Sequence, residues 1–406
     1  MLPFVESLRL IDHHCHGVVR RELDRPGFEA LLTETSGTGH GGTLFDSQIG
    51  LAVRRWCAPV VDLPAHATPD EYLARRAELG TAEVTERFVR GAGLEALCVD
   101  TGFEPEPMLS PSELGAAAGA PAYHIVRLER IAEDLAAEGT TAAGFGDAVR
   151  ERLASRAAEE AAVAVKSIAA YRVGLELADR APDAAEVTLA AGRWLSAIEN
   201  GAATPTSPRL ADERLHRFLI FVGVELGLPV QFHVGYGDRD LDLHRCNPLL
   251  LTGLLRTIEP TGVPVMLLHN YPYHREAGYL AQVFGNVYVD IGLAMHNVGR
   301  RASVLLAEAL ELTPFGKFLH SSDAFGLPEL HYLGAVLFRR ALSDMLADGL
   351  TDGAWTEDDA VRFAELIGAG NARRVYGLPS RSDIRPVQPP RIRPGSAPSA
   401  SESSEA

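Results

Sequence analysis

The chain has 406 residues, 46% hydrophobic and 23% charged. This ordinary globular balance excludes global disorder and fits either two domains or one large α/β barrel with insertions. Its 38 basic and 54 acidic side chains leave a net charge of −16, which argues against a nucleic-acid partner and against an anionic membrane surface. Cys15, Cys57, Cys98 and Cys246 form no CxxC pair, no apolar run approaches the ~18 residues of a membrane span, and no basic-then-apolar leader opens the chain. A reducing, cytoplasmic location is expected.

A short strand is predicted over 8–12, running straight into His13-His14-Cys15-His16. The next candidate strand, 94–99, lies about 80 residues on, far beyond an ordinary connection. The intervening insertion, about 17–92, holds the apolar stretch 28–32, a glycine-rich stretch 36–42 and predicted helices at 49–56 and 70–91. It is expected to form a helical cap over a barrel mouth. Gly37, Gly39, Gly41 and Gly42 suggest a mobile loop, and the Gly-Lys-Ser/Thr ending of a phosphate loop is missing.

Further strands are predicted at 123–126 and 162–167. From residue 212 the reading is cleaner: helix 213–226, strand 228–233, helix 248–258, strand 263–269, helix 275–284, strand 286–291, helix 303–312, strand 317–321 and helix 330–348. Strands alternating with helices give a parallel sheet, and eight of them give a closed (β/α)8 TIM barrel over residues 1–378. An open doubly wound sheet is the alternative, but its usual glycine-rich first turn is replaced here by the histidines. Residues 379–406, rich in Pro, Ser and Arg, read as a disordered tail.

Polar residues of ligand type gather at the predicted strand ends. His14 and His16 follow the first strand, Lys166 ends the fourth, His233 the fifth and His269 the sixth, and Asp323 follows the eighth. In a barrel these ends converge on the face where active sites are built. Two residues apart, His14 and His16 point to one side, whereas Cys15 points away and reads as packing. Imidazole and carboxylate bind divalent cations, so one ion or more is expected, with zinc preferred and manganese or iron as alternatives. Asp323 is also placed to accept a proton as general base. Any one of these residues alone is commonly structural; together, in barrel order, they point to a metal site. Substrate contacts are expected from Tyr171 and Arg172 after strand four, Tyr236 and Asp238 after strand five, Tyr273, His274 and Arg275 after strand six, and Glu329 and His331 after strand eight. Arg172 is suited to gripping a carboxylate.

Ile11-Asp12-His13-His14-Cys15-His16 resembles the opening motif of the amidohydrolase superfamily, and Gly370-Asn371-Ala372-Arg373-Arg374-Val375-Tyr376-Gly377-Leu378 the closing helix of its amidohydrolase-related branch. The resemblance spans about residues 8–378. The stretches 166–175, 247–251, 268–273 and 322–329 are similar to a subgroup that includes the amidohydrolase-like N-terminal half of glutamine-synthetase fusion proteins. The resemblance implies that His14, His16 and Asp323 hold the more buried metal and that His233 and His269 are the histidines of strands five and six. It places Lys166 where binuclear members carry a bridging carbamylated lysine: two ions if carbamylated, the preferred case, and one if not. The implied activity is hydrolysis of a C–N bond in a small carboxylate-bearing molecule, by analogy a γ-glutamyl amide. A metal-dependent decarboxylase and a non-catalytic regulatory barrel are the alternatives. Barrels of this kind are often homo-oligomers.

Overall fold

A computed structural model describes residues 1–35, 42–201 and 208–379. Seven strands run parallel in sequence order: β1 Leu10–Cys15, β2 Leu94–Asp100, β3 Ala122–Arg127, β4 Ala164–Ser167, β5 Val230–Val234, β6 Val265–His269 and β7 Val287–Val289. Helices cover the outside of this sheet, so β6, Val-Met-Leu-Leu-His, is buried along its whole length. A strand covered on both faces reads as a continuous apolar run, which is why the second half was legible.

The predicted eighth strand forms no regular ladder. Phe318 makes one parallel bridge to Val289, the Leu319 amide donates to the Val289 carbonyl at 3.0 Å, and the His13 amide to the His320 carbonyl at 3.1 Å. The segment therefore joins β7 to β1 and closes the barrel. The Ser322 amide goes to the Asp12 carboxylate at 2.9 Å, and the Asp323 amide returns to the His14 carbonyl of β1 at 3.0 Å with Asp323 at φ +51°.

Strand β1 runs three residues beyond its predicted end, so His14 lies within it and not after it. The buried polar side chains there are satisfied internally: His13 bonds Asp290 at 3.0 Å and Tyr376 at 2.8 Å. In the insertion, the predicted helix 70–91 is two, Pro69–Leu79 and Thr81–Gly91, broken at Gly80 with φ +78°, a conformation that glycine adopts without strain. Thr81–Gly91 packs on the long helix Pro328–Asp352 at the barrel's flank, with Phe88 against Tyr332. The segment 49–56 passes from the α-helix Gln48–Ala52 into a π turn, Val53–Cys57.

Helices Pro111–Ala118, Leu128–Ala137, Phe145–Glu159 and Ala184–Glu199 complete the first half. The expected loop at 36–42 and tail at 379–406 fall, but for Gly42 and Pro379… outside the described residues. Among the described residues no helix is long and apolar enough to cross a membrane.

Candidate metal centre

The ends of β1 and β6 and the turn after the closing segment bring four side chains together. Asp323 Oδ1 lies 3.2 Å from His14 Nε2 and 3.5 Å from His16 Nε2, and Asp323 Oδ2 lies 3.4 Å from His269 Nδ1. The ligand atoms of His14, His16 and Asp323 all fall within 4.8 Å of one another. Lys166 Nζ stands 3.1 Å from His14 Nε2. His233 lies beside His269, ring centroids 4.7 Å apart and planes inclined by 55°, and its Nε2 donates to the Tyr236 carbonyl at 3.1 Å.

The surrounding hydrogen bonds set which atoms carry lone pairs. Gln231 Nε2 donates to the His13 carbonyl at 3.0 Å and to the Tyr376 hydroxyl at 2.8 Å. Its Oε1 must then accept from His14 Nδ1, at 2.8 Å. His16 Nδ1 donates to the Asp100 carbonyl at 2.9 Å. In the neutral rings both Nε2 atoms are therefore acceptors, and both face a carboxylate oxygen. Asp323 Oδ1 and both ring nitrogens of His269 are buried without a hydrogen-bond partner. Buried acceptors aimed at one another are stable with a cation among them, so these residues fit a divalent ion.

Burial drives the rings towards the neutral, ligating form. It pushes His14 down to about 3, with Lys166 adding to the effect, and His269 down to about 4. Burial likewise lowers His233, helped by His269 and Lys166. It also lowers the Lys166 ammonium, against the opposing pull of Asp100 and Asp323. Burial, the largest single influence, raises the Asp323 carboxyl, but His269, His14 and His16 together more than offset it and hold it well below the usual carboxylate range. Strained backbone fixes the geometry: His269 and Asn270 have φ +69° and +59°. Asp290 holds that turn, accepting the His269 amide at 2.9 Å while its other oxygen takes His13.

Above these residues opens a cavity of about 500 Å³. The insertion supplies one wall through residues 30–35 and Ile49, and Arg127, Tyr171, Arg172, Arg209, Asp238 and His296 are among the others lining it.

Residues 111–378 match the family model described as Amidohydrolase. The chain belongs to the amidohydrolase family. Over 92% of its length it superposes on 96% of a Lactobacillus casei structure assigned as a metal-dependent hydrolase, with a TM-score of 0.77 and 30% identity. A glucuronate isomerase from Caulobacter crescentus shares the fold at a TM-score of 0.62 and 14% identity, each chain covered to 95%. Protein fluG of Emericella nidulans is 33% identical over 259 residues, 60% of this chain. The chain spans only 29% of the length of that relative. Membership in this metal-dependent hydrolase family implies a divalent metal.

The remaining expected substrate contacts of this amidohydrolase divide. Tyr171 and Arg172 line the cavity, but Arg172 already faces Glu133 at 3.4 Å. Tyr236 is half-buried beside the site and gives its backbone carbonyl to His233. Arg275 is a correction: it lies on the outer surface, paired with Glu308 at 3.1 Å and Glu311 at 2.8 Å. Glu329 is a second correction. It is fully buried away from the cavity, where its Oε1 accepts from Arg76 at 2.7 Å and from the Tyr72 hydroxyl at 2.9 Å. Sequence reasoning missed Glu34 and His296. Glu34 sits in an insertion without periodicity to place it, and His296 lies on the helix Gly292–Asn297, seven residues after β7. A lone histidine close behind a strand end was the available signal.

Proposed function

We propose that this amidohydrolase cleaves a C–N bond, the amide of a small carboxylate-bearing molecule, with a γ-glutamyl amide as first candidate. The reading includes a cytoplasmic enzyme acting on a small-molecule substrate. The observation that carries it is the convergence of two imidazole lone pairs on the ionised Asp323. A divalent cation held there, zinc in this reading, supplies Lewis-acid polarisation of a carbonyl and acidifies a water. Asp323 then accepts the proton of the attacking water and hands it to the leaving nitrogen, as a C–O bond replaces the C–N bond. Lys166, buried beside His14, is positioned to add an anionic oxygen donor if carbamylated. The γ-glutamyl choice rests on the similarity to the glutamine-synthetase fusion subgroup and is an analogy.

The test is metal content per chain on protein purified without chelator, with intact mass for a Lys166 carbamate. It is paired with amine release from γ-glutamyl and N-acyl amides. Two ions, a carbamate and amine release support the reading. A Lys166 that stays an unmodified amine beside His14 belongs to a second reading, a one-ion decarboxylase, which one ion and carbon dioxide release identify. A chain that binds no ion overturns both.

A further inference from the structure

The charges in the cavity are unevenly compensated. On the basic side Arg127 is tied to Asp100 at 2.6 Å, Arg172 to Glu133 at 3.4 Å and Arg209 to Asp240 at 3.3 Å, whereas Lys166, beside His14, and the exposed Arg239 hold no carboxylate among the described residues. On the acidic side Asp323 faces three histidines. Glu34, which the insertion places in the cavity wall, makes no hydrogen bond or ion pair among the described residues. The titratable groups that act on it or feel it are Asp323, Asp238, Tyr171 and Tyr236, none of them cationic. Asp238 also lacks an ion pair among the described residues; its Oδ1 accepts the Asp240 amide at 2.8 Å.

A largely buried carboxylate among like charges is costly until a cation or a proton reaches it. Burial together with Asp323 and Asp238 accordingly pushes the Glu34 carboxyl up to about 7. The same cavity is built for a polar occupant. His269 and His296, each 1% exposed, line it with ring nitrogens that have no partner. An incoming carboxylate meets one arginine, the exposed Arg239, that holds no carboxylate among the described residues, the other three already holding one. An incoming ammonium meets a carboxylate that holds nothing.

We infer that Glu34 is a specificity-determining residue that receives a protonated amine of the substrate, with Asp238 adding to the attractive field. The substrate class is then an amide carrying an aliphatic ammonium, which includes the amino-acid amides. This rests on the hydrolase reading for the reaction, but the contact is tested without turnover. The probes are L-glutamate and glutarate, which differ by one amino group.

Binding of each is measured calorimetrically on metal-replete protein at about pH 8, where a carboxyl that titrates near 7 is mostly ionised. The wild type is expected to prefer glutamate by about tenfold, the size of one charge-assisted hydrogen bond. Glu34→Gln is expected to reduce that preference to about twofold and leave glutarate binding unchanged. If that variant melts early, Glu34→Asp serves instead, with an intermediate preference expected. The inference falls if the wild type shows no preference, if neither probe binds, or if the variant weakens both probes equally. None of those results bears on amine release from the amide panel. Conversely, a glutamate preference without any amide cleaved removes the hydrolase and leaves the contact.

Discussion

The floor of the cavity and its walls were written into the chain with different precision. His14, His16, His269 and Asp323 sit at strand ends or the first turn beyond them, and sheet register carries them to one place. Arg275 and Glu329 lie only a few residues farther on, at the starts of helices His274–Val283 and Pro328–Asp352. Both turn away from the cavity. A strand end has one direction fixed by its neighbours, whereas a helix start rotates each successive side chain by a large angle, so proximity in sequence ceases to mean proximity to the site.

The sharpest way to break that contrast is to remove the residue on which the floor converges. Asp323→Asn keeps the shape but replaces a carboxylate oxygen by an amide. Turnover is expected to fall by about a thousandfold or more, the scale of a lost acid–base group, together with loss of bound metal measured per chain. A variant that keeps full activity would mean that the convergence of these acceptors is structural.

The next test takes a wall residue that the structure moves into the core. Glu329 is fully buried and serves Arg76, itself 5% exposed. Glu329→Ala leaves that guanidinium buried without its carboxylate, which costs about 3–5 kcal/mol. The urea midpoint should drop accordingly, while metal content per folded chain stays at the wild-type level. Loss of metal or of substrate affinity without loss of stability would restore Glu329 to the site.

A smaller effect separates buried histidines that serve the site from one that does not. His320 lies against Phe338 of the outer helix Pro328–Asp352, both ring nitrogens unpartnered, and burial first, then Arg339, pushes it down to about 3. Its folded value is below the unfolded one, so between pH about 6.5 and about 3 the unfolded chain binds the extra proton. Stability therefore falls as pH falls through that window, by up to about 1.4 kcal/mol per pH unit for this group. His320→Leu should flatten the dependence of the urea midpoint on pH between about 6 and 4. An unchanged slope would show that His320 is protonated in the folded chain.

Legibility followed the kind of signal available. The second half of the barrel was readable because its strands are continuous apolar runs bounded by glycines and prolines. In the first half the helices Pro111–Ala118 and Ala184–Glu199 were overlooked although both begin with capping boxes, Ser110 with Glu113 and Asp183 with Glu186. Those start signals stood in the sequence unused. The true end of β1 was not readable, because a run of polar residues ends a strand unless buried partners exist. Here the partners, Gln231, Asp290 and Tyr376, lie more than 200 residues away. Glu34 was hidden for a related reason: only the folded insertion brings it into the wall of the cavity that Asp323 also lines.

The smallest expected effect completes the contrast between floor and walls. Arg275 was expected to contact substrate, yet its side chain is 55% exposed and its partners, Glu308 and Glu311, belong to the outer surface. Exposed pairs of this kind contribute between nothing and about 1 kcal/mol, because solvent screens the attraction and two long side chains must be ordered. Arg275→Ala should therefore change the urea midpoint by an amount worth less than about 1 kcal/mol and leave kcat/KM within about twofold of wild type. A selective rise in KM with stability intact would require the turn 270–274 to bring Arg275 inward when substrate binds. That result would erase the distinction between strand ends and helix starts.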